Sequence, residues 1–284
     1  MSNAGRGFTL SVLGVRLAVV GELAVVVDAL DRFVLPWVPR APIDGEPADR
    51  LVEVRRAGDG DGLEIVVDGE VTGRASGPLA AVPVVQRALD DALVQRQKDF
   101  AVVHSGVVAH GGGAVLLPGP TGSGKSTLVA ELVRRGALYL SDEYALVDGA
   151  GDVHPYPRPL LLRGQTGDRA VLATELGGAV ARQPMPAALV VAVAHAADAP
   201  SHVEPMNQGE GLVLLLRNTP QALADRPWIL APLARAVGRA ACYVGHRGEA
   251  GEAADAILRL AASVARARPA AEGYSLRAAP SDSG

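Results

Sequence analysis

The pattern of apolar and polar positions changes character near residue 100 of this 284-residue chain. Before that point, short runs with a period of two predict strands, and the pair Asp68-Gly69 predicts a tight hairpin between two of them. Apolar residues at helical spacing then predict a helix that Pro83 opens and that continues through Gln97. These elements predict a small α+β domain over residues 1–99, without a catalytic constellation of its own.

After residue 100 the apolar runs alternate with helical patterns. Residues 101–109 and 114–117 predict two antiparallel strands joined by a glycine-rich hairpin connection. A helical pattern from Ser126 to Arg135 follows, and the next apolar run, residues 137–140, predicts another strand. Because the hairpin is antiparallel while its second strand leads into a helix, we predict an α/β domain with a mixed sheet over residues 100–268.

Three later stretches carry weaker signals. Residues 164–187 are interrupted by glycine and proline, which predicts a mobile loop near the substrate with a short helix at 169–176. Residues 209–216 are apolar and fit either a helix or a strand. The stretch 269–284, which is rich in Ala, Ser, Gly and Pro, predicts a disordered tail.

Composition excludes several classes of protein. A net charge of −4 and a pI near 5.9 predict no general attraction to nucleic acid or to anionic lipid. The single cysteine, Cys242, excludes an intramolecular disulfide framework and favours a reducing compartment. The apolar stretch 10–30 contains Arg16, Glu22 and Asp28, so it does not predict a membrane-spanning helix. We therefore expect a cytoplasmic protein with no membrane segment, and a homo-oligomer remains open.

The clearest chemical signal is a glycine-rich loop between the second of these strands and the helix. Residues 119–126 read GPTGSGKS, the complete pattern of a phosphate-binding P-loop. Glycines let successive backbone N–H groups turn inward, and the N-terminus of the next helix adds partial positive charge. Lysine is otherwise rare, since the chain has 25 arginines but only two lysines, Lys98 and Lys125. The predicted nucleotide-binding residues are Gly119, Pro120, Thr121, Gly122, Ser123, Gly124, Lys125, Ser126 and Thr127.

An acidic pair follows the helix. The short apolar strand leads directly into Asp142 and Glu143, and Asp142 comes seventeen residues after Lys125. A strand beside the P-loop strand would place Asp142 near a magnesium ion that Ser126 also holds, and Glu143 beside the terminal phosphate. We therefore predict a site for ATP and Mg²⁺, with Lys125, Asp142 and Glu143 as catalytic residues and Ser126 and Asp142 as metal ligands. Which carboxylate is the base stays open.

The combination of these motifs resembles a known family. A histidine in a glycine hairpin, His104, followed by the P-loop and an acidic pair on the next strand, is similar to the HPr kinase/phosphorylase family. It looks like the HPr-kinase-like proteins of peptide natural-product clusters, including lasso-peptide kinases, over about residues 100–165. The resemblance implies a P-loop kinase core shared with phosphoenolpyruvate carboxykinases. It also implies that His104, Asp142 and Glu143 converge with the P-loop on the transferred phosphoryl group.

Two departures from the family pattern narrow what the resemblance implies. Leu128 follows Lys125-Ser126-Thr127, and the glutamate that bifunctional HPr kinases place after the serine is missing. Of the later Glu-Ile-Arg-Gly-type signature, only the fragment Leu162-Arg163-Gly164 is present. The resemblance therefore implies the kinase reaction without its phosphorylase reversal.

Two arginines are candidate substrate-binding residues. Three prolines between residues 155 and 159 predict an extended segment, from which Arg158 and Arg163 are expected to emerge. The planar guanidinium group suits phosphate because it donates two hydrogen bonds at once. We therefore predict that both arginines contact the nucleotide or the substrate.

These features predict an ATP- and Mg²⁺-dependent kinase that transfers the γ-phosphoryl group to a hydroxyl. The favoured acceptor is a serine of a peptide or protein, such as the precursor of a ribosomal-peptide natural product. A small hydroxylated molecule is a close alternative acceptor. Two other hypotheses are a non-catalytic module in which bound ATP switches a partner interface, and a carboxykinase acting on a small acid. Glu143 and His104 argue against the switch, which needs neither residue.

Overall fold

The computed structural model describes residues 6–58, 60–164, 167–196, 201–224 and 227–267. Within these ranges the chain is a mixed α/β protein with sixteen strands and six α-helices. None of the described helices is both long enough and apolar enough to cross a lipid bilayer. The predicted tail, residues 269–284, lies outside the described residues.

The first part of the chain forms a sheet of its own. Its six strands have the spatial order β3-β1-β2-β4-β5-β6. At the tip of the last hairpin, Asp68 and Gly69 have φ of 52° and 88°, the left-handed values that the predicted tight turn needs. Two helices pack against each other and bury apolar side chains over this sheet. The elements are β1 (Arg6–Val12), β2 (Val15–Gly21), α1 (Ala24–Phe33), β3 (Arg40–Ala41), β4 (Arg50–Arg56), β5 (Leu63–Val67), β6 (Glu70–Ala75) and α2 (Pro78–Arg96).

The predicted start of α2 at Pro83 is wrong. The helix begins at Pro78, with Gly77 as its N-cap. Proline suits the first helical position because its missing N–H group would have no intrahelical partner there. Pro83 lies inside the helix, where a proline removes one backbone hydrogen bond. The apolar spacing located the buried face and the end of the helix, but Pro83 was mistaken for its first residue.

The second sheet contains eight strands and follows the order β11-β10-β7-β8-β14-β16-β15, with β9 paired to β7. The neighbours β8, β14 and β16 are parallel, whereas β7 and β15 run antiparallel to theirs. The mixed sheet that the sequence predicted is therefore present. Its strands are β7 (Ala101–His110), β8 (Gly113–Pro118), β9 (Leu138–Ser141), β10 (Tyr144–Val147), β11 (Asp152–His154), β14 (Met185–His195), β15 (His202–Met206) and β16 (Ala241–Arg247). A separate hairpin is formed by β12 (Leu160–Gly164) and β13 (Gly167–Val171).

Helices cover both faces of the second sheet. Along β8, Val115 and Leu117 pack against α3 and α6, while Ala114 and Leu116 belong to the core shared with α4 and α5. Since side chains alternate between the faces of a strand, a strand buried on both faces is apolar at every position. This explains the continuous apolar run of β8. The helices are α3 (Lys125–Arg134), α4 (Gln208–Arg217), α5 (Leu230–Arg239) and α6 (Ala250–Ala267).

Two weakly patterned stretches have definite structures. The stretch 209–216 belongs to α4, whose N-cap Asn207 and Glu210 exchange the two hydrogen bonds of a capping box. The helix predicted at 169–176 is wrong in its first half, because residues up to Val171 belong to β13. Only Ala173–Leu176 are helical, as a single 3₁₀ turn.

The two sheets are separate but share buried contacts. The strands before residue 99 pair only among themselves in the described chain, and the strands after residue 100 form the second sheet. Val102, Leu146 and Tyr156 from the later part pack into the core of the first sheet and its helices. The division into domains at residue 99 stays a prediction, since the two parts bury apolar surface against each other.

Candidate nucleotide-binding and catalytic site

The predicted site residues converge at one edge of the second sheet. Ligands of α/β proteins bind where parallel strands end, and β8, β14 and β16 all end at this edge. Both β8 and β9 pair antiparallel with β7, so β9 runs parallel to β8 and delivers Asp142 to the same edge. In β7, Ser105 pairs with Pro118, which brings His104 beside the start of the P-loop.

The strand that carries the acidic pair is not the direct neighbour of the P-loop strand. The sequence predicted that β9 would lie beside β8, but β7 lies between them. The reason is local, because the tight hairpin of β7 and β8 occupies one side of β8, and β14 occupies the other. The acidic residues therefore reach the P-loop from one strand further away.

The loop of residues 119–126 has a left-handed backbone at two of its glycines. Gly122 and Gly124 have φ of 83° and 81°, which only glycine adopts without strain. Helix α3 begins at Lys125, and the first N–H groups of a helix have no intrahelical partner. The Lys125 Nζ donates hydrogen bonds to Gly119 O at 2.8 Å and Pro120 O at 2.9 Å. Partial burial lowers the pKa of Lys125 and outweighs the opposite effect of the nearby Glu143 and Asp142 carboxylates.

Asp142 is a buried carboxylate beside the loop. It is 4% exposed, its Oδ1 has no hydrogen-bond partner within the described residues, and the nearby Ser126 hydroxyl partly offsets the effect of burial on its pKa. Burial raises the pKa of Asp142 to about 7. A buried carboxylate oxygen without a partner, next to a serine hydroxyl, fits Mg²⁺, which prefers oxygen ligands. No group of three or more His, Cys, Asp or Glu side chains that could hold a metal ion occurs among the described residues. Phosphate and water would therefore have to complete the shell of an ion held by Ser126 and Asp142.

Glu143 faces a different partner from that of Asp142. Its Oε1 lies 2.9 Å from His104 Nε2, and both side chains are partly buried. Burial raises the pKa of Glu143, but the His104 hydrogen bond and the nearby charges of Arg158 and Lys125 outweigh it and leave the pKa lowered. The two acidic residues occupy a bend between β9 and β10, so they depart from regular strand geometry. The ionised carboxylate is therefore held at the edge of the site.

Arg158 does not emerge at the surface as predicted. It is 6% exposed and forms a buried ion pair with Asp90 of α2. Tyr156 Oη and Gln86 Nε2 donate to the same carboxylate at 2.9 and 3.1 Å. Burial raises the pKa of Asp90, and the positive charge of Arg158 opposes that effect. From this fixed position the positive charge of Arg158 lowers the pKa of Glu143. Its guanidinium group is already paired with Asp90 in the first part of the chain.

Three residues at or near the site were missed by sequence reasoning. Asp90 and Gln86 are polar positions four residues apart on the otherwise apolar face of α2, and this interruption was a usable signal. Arg247, at the end of β16, is 5% exposed and donates from Nη2 to Gly124 O at 3.1 Å. Nothing in the sequence around Arg247 indicates this contact. The side chain of the other predicted arginine, Arg163, lies outside the described residues.

We expect Asp90→Ala to destabilise the protein strongly. Removing one partner of a buried ion pair leaves the other charge unpaired, which costs about 3–5 kcal/mol. Urea denaturation measures the loss, with Asp91→Ala as the matched control, because Asp91 is the next residue of α2 and is exposed. The control should change the free energy of unfolding by less than about 0.5 kcal/mol. Equal and small losses in both variants would contradict the structural role of the Asp90–Arg158 pair.

A large cleft lies beside this site. It has a volume of about 960 Å³ and is lined by the two parts of the chain, with Trp37 from the first, Pro155 and Arg182 from the second. Tyr139 of β9 and Arg158 also line it, which connects it to the strand that carries the acidic pair. None of the residues that line this cleft belongs to the P-loop.

Comparison with known proteins does not identify the chain. No protein-family model matches it, and no curated protein is significantly similar to it. The function is therefore inferred from the chemistry of the site.

Proposed function

We propose that this protein is an ATP- and Mg²⁺-dependent kinase with a P-loop core of the HPr kinase/carboxykinase type. The observation that carries the proposal is the different orientation of two adjacent carboxylates. Asp142 lies against Ser126 of the P-loop, whereas Glu143 is held by His104. A kinase needs one carboxylate for the metal and another for the acceptor hydroxyl. A simple nucleotide switch needs only the first.

The P-loop supplies the phosphate site in this proposal. Its backbone N–H groups and the N-terminus of α3 bind the phosphate oxygens, and Lys125 exchanges its two carbonyl acceptors for the outer phosphates. Ser126 and Asp142 would hold Mg²⁺, which neutralises the charge on the phosphates when it is bound. Arg247 supports the loop through the hydrogen bond that it donates to the Gly124 carbonyl.

Glu143 is the proposed general base. The acceptor hydroxyl gives its proton to the Glu143 carboxylate while its oxygen forms a bond to the γ-phosphorus. The bond between that phosphorus and the bridging oxygen breaks, and ADP leaves with the electron pair. His104 is a positioning residue, because its hydrogen bond fixes the Glu143 side chain and keeps it ionised. General-base assistance of this kind contributes about 10²–10⁴-fold in rate.

The favoured acceptor is a serine of a peptide or protein, and a small hydroxylated molecule is the second candidate. The cleft of about 960 Å³ is the proposed place for the first of these, since Tyr139 of β9 and Arg158 help to line it. Its lining by Trp37 and prolines also suits an extended peptide better than a small polar molecule.

Incubation with Mg²⁺ and ATP tests the proposal. Serine peptides and small hydroxylated molecules are offered in parallel, and mass spectrometry detects phosphorylated products while ADP is quantified. A phosphopeptide supports the favoured acceptor, and a phosphorylated small molecule supports the second candidate. Tight ATP binding with no ADP formed in the presence of any acceptor would contradict the kinase and favour the nucleotide switch.

A further inference from the structure

The cleft of about 960 Å³ differs in charge from the protein as a whole. The chain is acidic, with 31 Asp and Glu residues against 27 Lys and Arg residues. The described residues that line the cleft include Arg158, Arg182 and His154, but no carboxylate. Since complementary charge sets the specificity of a binding surface, this cleft favours an anionic ligand.

Arg182 is the cationic group of the cleft that has no carboxylate partner. Arg158 pairs with the buried Asp90, and His154 Nε2 lies 2.7 Å from Asp148 Oδ2. Arg182 is exposed and forms no ion pair within the described parts of the chain. Its planar guanidinium group can therefore donate two hydrogen bonds to a carboxylate of a ligand.

The first part of the chain presents Trp37 to the cleft on a fixed loop. Trp37 is 40% exposed, whereas the nearby Leu35 and Val38 are buried. Leu35 has φ of 45°, a left-handed value that a leucine keeps only where its surroundings enforce it. Each of the five guanidinium N–H groups of Arg40 donates a hydrogen bond to this turn, to the Asp31 carboxylate and to the carbonyl oxygens of Asp31, Val34, Leu35 and Val38. The indole is therefore held in place before a ligand binds.

Trp37 and Arg182 belong to different parts of the chain, so a ligand that meets both must cross the cleft. An extended peptide can do so, since it advances about 3.3 Å per residue. Tryptophan offers a large rigid surface to apolar side chains at little cost in conformational entropy. We propose that this cleft binds an extended acidic peptide, with Trp37 packed against an apolar side chain and Arg182 paired with a carboxylate. That this peptide carries the acceptor serine rests on the proposed function.

Binding of labelled peptides without nucleotide tests this inference separately from phosphoryl transfer. Three fluorescein-labelled serine peptides of equal length share one leucine and carry Glu, Gln or Lys at the same positions. Fluorescence anisotropy gives the Kd of each peptide for the parent, Arg182→Gln and Trp37→Ala. Arg217→Gln is the matched control, because Arg217 is exposed and does not line the cleft.

We expect the parent and Arg217→Gln to bind the Glu peptide about fivefold more tightly than the Gln peptide, because an exposed ion pair contributes on that scale. This preference should shrink at high salt. Arg182→Gln should lose the preference but keep the parent's affinity for the Gln peptide, which also shows that it is folded. Trp37→Ala should bind both peptides at least about tenfold more weakly, since a buried tryptophan anchor contributes that much to an interface.

Equal affinity of the parent for the Glu, Gln and Lys peptides would overturn the inference. An unchanged preference in Arg182→Gln, or unchanged affinities in Trp37→Ala, would overturn it as well. Binding of the Glu peptide without its phosphorylation by Mg²⁺-ATP would support the acidic-peptide cleft and contradict its role as the acceptor site. Phosphorylation of a small molecule with no binding of any peptide would overturn the inference and leave the kinase intact.

Discussion

Lys125→Ala is expected to weaken Mg²⁺-ATP binding by about 10- to 100-fold, because a hydrogen bond to a charged group contributes about 1.5–3 kcal/mol. The Lys125 ammonium group lies over the loop on two backbone carbonyls, where phosphate oxygens can replace its acceptors. Its pKa is lowered by burial, so an anion gains more there than at an exposed lysine. Isothermal titration calorimetry measures the change in affinity.

The chain offers a matched control for this variant. Lys98 is the other lysine of the sequence and is exposed, so Lys98→Ala removes the same charge far from the P-loop. The control should bind Mg²⁺-ATP as the parent does. If Lys125→Ala and Lys98→Ala bound ATP with equal affinity, the loop would not be the nucleotide site.

Glu143→Gln is expected to lose about 10²–10⁴-fold in phosphoryl transfer while it keeps its affinity for ATP. An amide cannot accept the proton of the acceptor hydroxyl. It can still accept a hydrogen bond from His104, whose Nε2 lies 2.9 Å from the native carboxylate. The measurement is the rate of product formation at saturating ATP, together with the Kd for ATP.

Two further variants separate the roles of the carboxylates. Asp142→Asn should weaken both the metal dependence and ATP binding, because its carboxylate lies beside Ser126. His104→Ala should slow transfer more than it weakens ATP binding, since His104 contacts Glu143 and not the loop. Glu252→Gln, on the exposed face of α6, controls for the loss of one negative charge. Full transfer activity in Glu143→Gln would exclude Glu143 as the base. If Asp142→Asn lost transfer but kept its ATP affinity, while Glu143→Gln weakened ATP binding and the metal dependence, the roles of the two carboxylates would be reversed.

Most elements were predictable because their signals are local. Asp68-Gly69 specifies its hairpin turn within two residues, and Gly136 ends α3 with φ of 89°, as a left-handed C-cap does. The start of α2 was predicted wrongly because its signal is not local. Two prolines, Pro78 and Pro83, compete for the first helical position, and the buried contacts made by the turn between them decide in favour of the earlier one.

The site was predictable where it is continuous in sequence. The P-loop and the acidic pair lie within 24 residues of each other, so their meeting needs only one strand, one helix and the next strand. Asp90 and Arg247 come from α2 and β16, and their contacts with Arg158 and Gly124 depend on pairings across the whole chain. The placement of β9 beyond β7 was missed for the same reason, because the sequence does not state which side of a hairpin a later strand joins.

A crystal structure with Mg²⁺ and a non-hydrolysable ATP analogue tests the central claim most directly. The account predicts phosphates on the loop 119–127, Mg²⁺ bound by Ser126 and Asp142, and Glu143 beside the γ-phosphate without a bond to the metal. Its hydrogen bond to His104 should be retained. A nucleotide bound away from this loop, or Mg²⁺ held by Glu143 with Asp142 turned away, would contradict the account.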